Sequence, residues 1–334
     1  MNKISCLVLI NQIDYIYNHI DNFYDIDKLE YVVALDTYRH FVLASEKCFV
    51  TQPTLSMQIQ KLEDELGVKI FDRTKQPVIP TEIGESIIAQ ARIALREADM
   101  IRQLIAEQQN TMSGELRIGI IPTLAPYLLP VLFKNIHDKY PQVNLVIREI
   151  ITEEIVNELK SNRLDCGIVV TPLDDASIKE DVLFYEELFV YLSRKNALLD
   201  KKYILPTEID PSQLWLLEEG HCFRSQILNL CELRKYAELN FKYETGNIET
   251  LKRMVDKSDG ITILPELAVM EFSKTQMKQV KRLKEPSPAR EVSLVTHRDH
   301  IKTKLIKTLK AEILSIVPQP MHKLQKKKVV EISY

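Results

Sequence analysis

The alternation between Leu116 and Val170 constrains the fold more than any other stretch of these 334 residues. Leu116 to Ile121 is an apolar run that stops at Pro122 and Thr123, after which Leu128, Leu132 and Ile136 recur at helical spacing. Asn144 to Ile150 is a second run, ended by Thr152, which is placed to cap a helix from Glu153 to Ser161. Cys166 to Val170 is a third run. Strand, helix, strand, helix, strand predicts a parallel sheet covered by helices. Thr123 and Thr152 both fall where a strand gives way to a helix. Open α/β sheets bind ligands at that edge, and free N–H groups there suit a small polar molecule. A second α/β subdomain is expected from about Phe184 to Glu285, with strands near Glu187 to Leu192, Leu214 to Glu218 and Gly260 to Leu264. The chain then returns through Glu291 to His297 and closes with a basic helix, Lys302 to Ile316.

The amino-terminal part reads differently. From Asp27 a helix is expected through Leu29, Val32, Val33 and Leu35, then a turn at Arg39 and His40 and a short helix near Val42 to Lys47. Thr51 is suited to cap the next helix, whose early Pro53 loses nothing by lacking an N–H, and Gly67 stops it. That helix buries Leu55, Ile59, Leu62 and Leu66 and offers Gln52, Thr54, Ser56, Gln58 and Lys61 outward, a pattern suited to a DNA major groove as well as to plain solvation. Two short strands, Lys69 to Asp72 and Pro77 to Pro80, bring Arg73, Thr74 and Lys75 to a hairpin tip that would reach phosphates. Asp27 to Glu85 carries 7 Lys or Arg against 10 Asp or Glu, a balance of 7 − 10 = −3. DNA contact must therefore rest on a few aimed groups and on paired domains. Thr81 opens a long helix through Ile83, Ile87, Ala91, Ala94, Ala98 and Ile105, a natural dimer arm, before a linker at Asn110 to Gly114.

Glu218 to Cys231, EEGHCFRSQILNLC, sets two cysteines nine residues apart inside a helical pattern that runs from Phe223 through Ile227, Leu230 and Leu233 to Tyr236. Nine residues span about 14 Å of helix, whereas a disulfide needs Cα atoms closer than roughly 7 Å. Bonding would force the helix to unwind. Cys222 follows Gly220 and His221 at a helix start, where free N–H groups and nearby His221 and Arg224 favour a thiolate and Glu218 and Glu219 oppose it. Cys231, among Leu228, Leu230 and Leu233, reads as a buried resolving thiol. Two reduced structural cysteines are the alternative.

Five cysteines without close-spaced metal pairs, and no apolar run of membrane length, point to a cytoplasmic protein with neither structural metal nor bound cofactor. The net charge of −3 excludes a general basic field. Residues 1–25, with Cys6 in an apolar run, lack the features of a signal peptide and form an extension of unknown role, either a short added helix or the result of an upstream start codon.

These segments occur in the order of a LysR-type transcriptional regulator. The chain resembles that family from about Ile26 to Val317, through LEYVVAL, TQPTLSMQIQKLEDELGVKIFDRT and TMSGELRIGIIPT. It is most similar to the family's peroxide-sensing branch, through PTLAPYLLP, EEGHCFRSQILNLC, and IETLKRMV followed by GITILPELAV. The resemblance implies an α/β protein with an all-α winged helix-turn-helix domain at residues 26–85 and a linker helix at 81–112. It further implies a two-lobed regulatory domain like that of periplasmic binding proteins at 113–318, with its second lobe at about 184–288, and a basic tail at 319–334.

By that resemblance Cys222 and Cys231 are the redox pair, and Thr123, Thr152, Gly220 and His221 surround hydrogen peroxide. Thr51, Gln52, Pro53, Thr54, Ser56, Gln58, Lys61 and Arg73 meet double-stranded DNA. An arginine expected late in the return strand falls at His297, with Arg298 beside it. Cys48 and Cys166 lie in apolar runs as small buried hydrophobes, Gly260 reads as a turn residue and Trp215 as core. The implied partners are RNA polymerase, a glutaredoxin or thioredoxin as reductant, and a second or further copies of the chain as dimer or tetramer. Three other functions compete: a metabolite-responsive regulator of the same build, a thiol peroxidase, and a two-lobed binding protein. Residues 27–110 and the missing signal peptide count against the last.

Overall fold

The computed structural model describes residues 25–108, 112–232, 246–298, 300, 302–325 and 327–331. The extension at 1–24, the stretch from Leu233 to Tyr236 and the linker residues Asn110 and Thr111 lie outside them. The chain divides into two compact units, Met1–Gln109 and Asn110–Tyr334.

In the first unit α1 (Ile26–Tyr38), α2 (Phe41–Lys47) and α3 (Gln52–Leu66) are followed by the strands β1 (Phe71–Asp72) and β2 (Ile79–Pro80) and by α4 (Glu82–Gln108). Thr51 caps α3, accepting from the Thr54 N–H, and Gly67 closes it in the left-handed conformation with its N–H on Glu63 O. Leu55, Ile59 and Leu62 face a core shared with Val32, Leu35, Ala44, Ile70, Phe71 and Ile88. The antiparallel β1–β2 ribbon pairs Phe71 with Pro80 and Asp72 with Ile79. Buried Glu63 ties this wing to α3, since its Oε1 accepts from the N–H groups of Ile70 (2.9 Å) and Phe71 (3.1 Å).

The second unit is built on β3 (Gly114–Ile120), α5 (Ala125–Lys139), β4 (Val143–Glu149), α6 (Thr152–Lys160), β5 (Cys166–Thr171), β6 (Ile178–Leu192), α7 (Cys222–Leu230) and α8 (Ile248–Lys257). It continues with β7 (Ile261–Pro265), α9 (Glu266–Met270), α10 (Lys274–Met277), β8 (Val280–Arg282), β9 (Ser287–His297), α11 (Thr303–Ile316) and β10 (Lys327–Val329). The strand order is β4-β3-β5-β9-β6-β7, with β8 beside β6 and β10 beside β9. β3, β4 and β5 are parallel, as the alternation predicts. β6 and β9 are long antiparallel strands whose register shifts between Val182 and Phe184, so one curled sheet serves two lobes.

Two expectations are corrected here. Leu214 to Glu218 is not a strand, because it makes one isolated bridge, Leu214 to Ile261, and then turns toward Gly220. Helix α7 ends at Leu230 instead of running on, with Cys231 as its C-cap and Glu232 in the left-handed region at φ 55°.

Candidate functional site

Helix α7 carries one cysteine at each end. Gly220, at φ +91°, makes the turn that delivers His221 and Cys222 to the helix start, a conformation that L side chains rarely adopt. Phe223, Gln226 and Ile227 are buried, so the helix is held by the face it presents to the core. Cys222 and Cys231 are both buried free thiols. The helix between them spans about 14 Å of rise, twice the reach of a disulfide.

Cys222 lies on a narrow cleft lined by Ile121, Pro122, Thr123, Ile151, Thr152, His221 and Phe223, with about 190 Å³ of empty space including its open mouth. Thr152 does not cap α6 as expected. It is the first residue of that helix, no side chain caps the N-terminus, and its hydroxyl instead donates to Cys222 Sγ at 3.8 Å. Thr123, on the turn after β3, accepts from Arg290 Nη1 at 2.7 Å through its hydroxyl and from Nη2 at 3.3 Å through its carbonyl. Arg290 Nε donates to Glu186 Oε2 at 2.7 Å, and its guanidinium lies 5.1 Å from the ring centre of Phe223.

The arginine of the site is therefore Arg290, near the start of β9, and neither His297 nor Arg298. Arg290 and His297 are seven residue steps apart along the strand, roughly 23 Å, and the Arg298 side chain donates to Ala176 O instead. Arg290 and Glu186 are the two side chains that sequence reasoning missed. A signal existed: Arg290 is in step with Val292 and Leu294, which are buried, and an arginine at a core-facing strand position needs partners.

Burial pushes the Cys222 thiol above its ordinary range, while Arg290, the Thr152 hydroxyl and the N–H groups of Phe223 and Cys222 pull it back part of the way. His221 and Arg224, expected to favour the thiolate, have other polar partners. His221 Nε2 faces Glu218 Oε1 at 3.5 Å, and Arg224 Nη1 donates to Leu217 O at 2.9 Å. A side chain at Gly246 would come within 3.0 Å of His221 Nε2, so that glycine leaves room for the imidazole. Burial alone pushes the Cys231 thiol up to about 12. Cys166 is fully buried in β5, and Cys48 is half-buried. Among the described residues no group of three or more His, Cys, Asp or Glu is placed to hold a metal ion, and no helix is long and apolar enough to cross a membrane.

In the first unit Gln52, Pro53 and Lys61 are exposed on α3 and Thr54, Ser56 and Gln58 are half-buried. Arg73 turns back from the wing, donating to Ser56 Oγ at 3.4 Å and pairing with Glu63 Oε2 at 3.2 Å. Thr51, exposed, serves as the helix cap.

Residues 26–85 match the bacterial regulatory helix-turn-helix proteins of the lysR family, and residues 109–316 match the LysR substrate binding domain. The chain is similar to the hydrogen peroxide-inducible genes activator of Haemophilus influenzae, 36% identical over 273 residues that cover 81% of this chain and 90% of that protein. It is as similar to the DNA-binding transcriptional dual regulator OxyR of Escherichia coli K12, 36% identical over 271 residues covering 81% and 88%. Among solved structures, a full-length OxyR variant from Pseudomonas aeruginosa superimposes with a TM-score of 0.75 at 33% identity, covering 86% of this chain and 97% of that one. The chain belongs to the LysR family of bacterial DNA-binding transcriptional regulators, and within it to the OxyR group.

Proposed function

We propose that this protein switches transcription in response to hydrogen peroxide, with Cys222 as the thiol that is oxidised and Cys231 as its resolving partner. The observation that carries the reading is the placement of Cys222 Sγ on the cleft, against the Thr152 hydroxyl at 3.8 Å, at one end of a helix whose other end is Cys231. The cleft is narrow, with about 190 Å³ of empty space that includes its open mouth. That favours a ligand of peroxide's size over a larger effector.

The chemistry follows from the residues. Cys222 reacts as the thiolate; its sulfur forms a bond to one peroxide oxygen, the O–O bond breaks, and hydroxide leaves. Thr123, Thr152, Gly220 and His221 border the peroxide. The sulfenic acid then condenses with the Cys231 thiol, releasing water and closing the disulfide. Closure requires α7 to unwind, which exposes Cys231 and returns its thiol toward the ordinary range. One oxidation gives one change of state, as in a regulator, where a peroxidase would turn over.

Residues 26–85 then act as the winged helix-turn-helix domain, residues 81–112 as a dimerisation helix, and residues 113–318 as the redox-sensing domain. Thr51, Gln52, Pro53, Thr54, Ser56, Gln58 and Lys61 meet double-stranded DNA, while Arg73 acts by holding the wing to α3 as well as by facing phosphate. Refolding of α7 changes how copies of the chain pair, resets the spacing of two DNA-binding domains, and alters contact with RNA polymerase. A glutaredoxin or thioredoxin in the cytoplasm reverses the switch. The test is a DNA footprint with and without peroxide. Cys222→Ser is expected to abolish the peroxide-dependent change, and a variant that still shifts overturns the assignment.

A further inference from the structure

We infer that Glu186 is a positioning residue for the reaction of Cys222 with peroxide, acting through Arg290. This rests on the reading of Cys222 proposed above. Glu186 on β6 and Arg290 on β9 are direct cross-strand partners, just beyond the register shift where the two long strands pass between lobes. Both side chains are fully buried. A buried ion pair is stabilising only when its remaining donors and acceptors are also satisfied, and here they are. Glu186 Oε2 accepts from Arg290 Nε at 2.7 Å and Oε1 from the Leu267 N–H at the start of α9, at 2.8 Å. Arg290 gives its other donors to Thr123 at 2.7 and 3.3 Å, and its guanidinium carbon lies over the ring of Phe223, the neighbour of Cys222.

The guanidinium is thus clamped from two sides, by Glu186 behind and by the Thr123 wall of the cleft in front. Its stem has four rotatable bonds, and a donor stabilises a developing charge only when it is already in place. The step it serves breaks the O–O bond. Sulfur gives the electron pair that forms the S–O bond and is oxidised by two electrons, while the departing oxygen takes the O–O pair and leaves as hydroxide. Positive charge held beside the cleft favours both the thiolate and that leaving oxygen. Glu186 touches neither sulfur nor cleft, so its effect must pass through Arg290.

A double-mutant cycle tests this in the full-length reduced chain carrying Cys231→Ser, so that reaction with hydrogen peroxide stops at the Cys222 sulfenic acid. The rate is measured across pH. Glu186→Gln is expected to lower the limiting rate about tenfold, while moving the thiol titration to lower pH, because the Arg290 charge has lost its counter-charge. Arg290→Gln is expected to lower the rate at least as much and to move the titration upward. The double variant, whose facing amides leave no unpaired charge, is expected to match Arg290→Gln. A Glu186→Gln rate within about twofold of the parent, or losses that multiply in the double variant, overturns the inference. If Glu186→Gln does not fold, Arg290→Gln against the double variant decides alone: equal rates support the inference and a slower double variant overturns it. A parent chain that peroxide does not oxidise at Cys222 is a failure of the proposed function itself.

Discussion

At the amino end of α7, Cys222 meets a hydroxyl donor, two helix-start N–H groups and the charge of Arg290. At the carboxyl end, Cys231 has apolar burial alone acting on its thiol. Burial raises both thiols, and polar neighbours pull only Cys222 part of the way back. The difference teaches that two cysteines of one helix can be set apart electrostatically with no difference in exposure, since both are buried. That needs a difference in what lines the burial. The same packing separates Cys231 from Cys222, and bringing the two sulfurs together would require Phe223 and Ile227 to leave the core, at about 2 kcal/mol for each side chain.

The contrast can be broken most severely by removing either sulfur. Cys222→Ser should abolish oxidation by one equivalent of peroxide, whereas Cys231→Ser should still gain one oxygen atom and never form the link; mass mapping of the treated variants reads both. If Cys231→Ser fails to take up oxygen, the two ends are not chemically distinct.

The next effect comes from the chain's carboxyl tail. β10 pairs in parallel with Ser287 to Ala289 of β9, and α7 holds the following residues, with Gln226 Nε2 donating to Val330 O and Asn229 Nδ2 to Glu331 O, each at 3.1 Å. Deleting residues 327–334 removes both bonds, worth about 1 kcal/mol each. The peroxide dose for half-maximal disulfide should then fall by up to about thirtyfold, as titrated on non-reducing gels. An unchanged dose means that the tail does not restrain the helix.

A smaller effect is expected at Thr152. Thr152→Val keeps the shape and loses the donor to Cys222, so sulfenic acid formation should slow several-fold and the thiol titration should move up by up to about one pH unit. Thr152→Ser should restore both.

The smallest effect is on stability. Cys231 is raised in the folded chain to about 12, so above the ordinary thiol value of about 8.5 the unfolded chain ionises first and folding loses up to about 1.4 kcal/mol per pH unit until the folded thiol also ionises. Urea titrations at rising pH should show this decline, and Cys231→Ser should make it shallower, Cys222 and Cys166 keeping their own share. A decline of equal slope in both proteins assigns it to other groups.

Much of the fold was legible because it rests on local rules. Thr51 and Gly67 bracket α3, and the run from β3 to β5 alternates with helices at ordinary spacing. What escaped depended on long-range pairing. Leu214 to Glu218 has the apolar content of a strand but finds one bridge only, and the end of α7 was overrun because Leu233 and Tyr236 continue its spacing beyond a left-handed Glu232. In the site, the position of Cys222 at a helix start was readable, whereas Thr152 looked like a cap because its partner sulfur lies 70 residues away. Arg290 stands at the opposite end of its strand from the position the resemblance implies, and Glu186 meets it only through the pairing of β6 with β9.

The central claim is that the helix separating the two sulfurs cannot outlast their union. Hydrogen exchange on the amides of residues 222–230, before and after one equivalent of peroxide, tests it most directly when read beside the mass of the linked peptide. The expected result is a Cys222–Cys231 link together with loss of protection across α7. A link formed while those amides stay protected contradicts it.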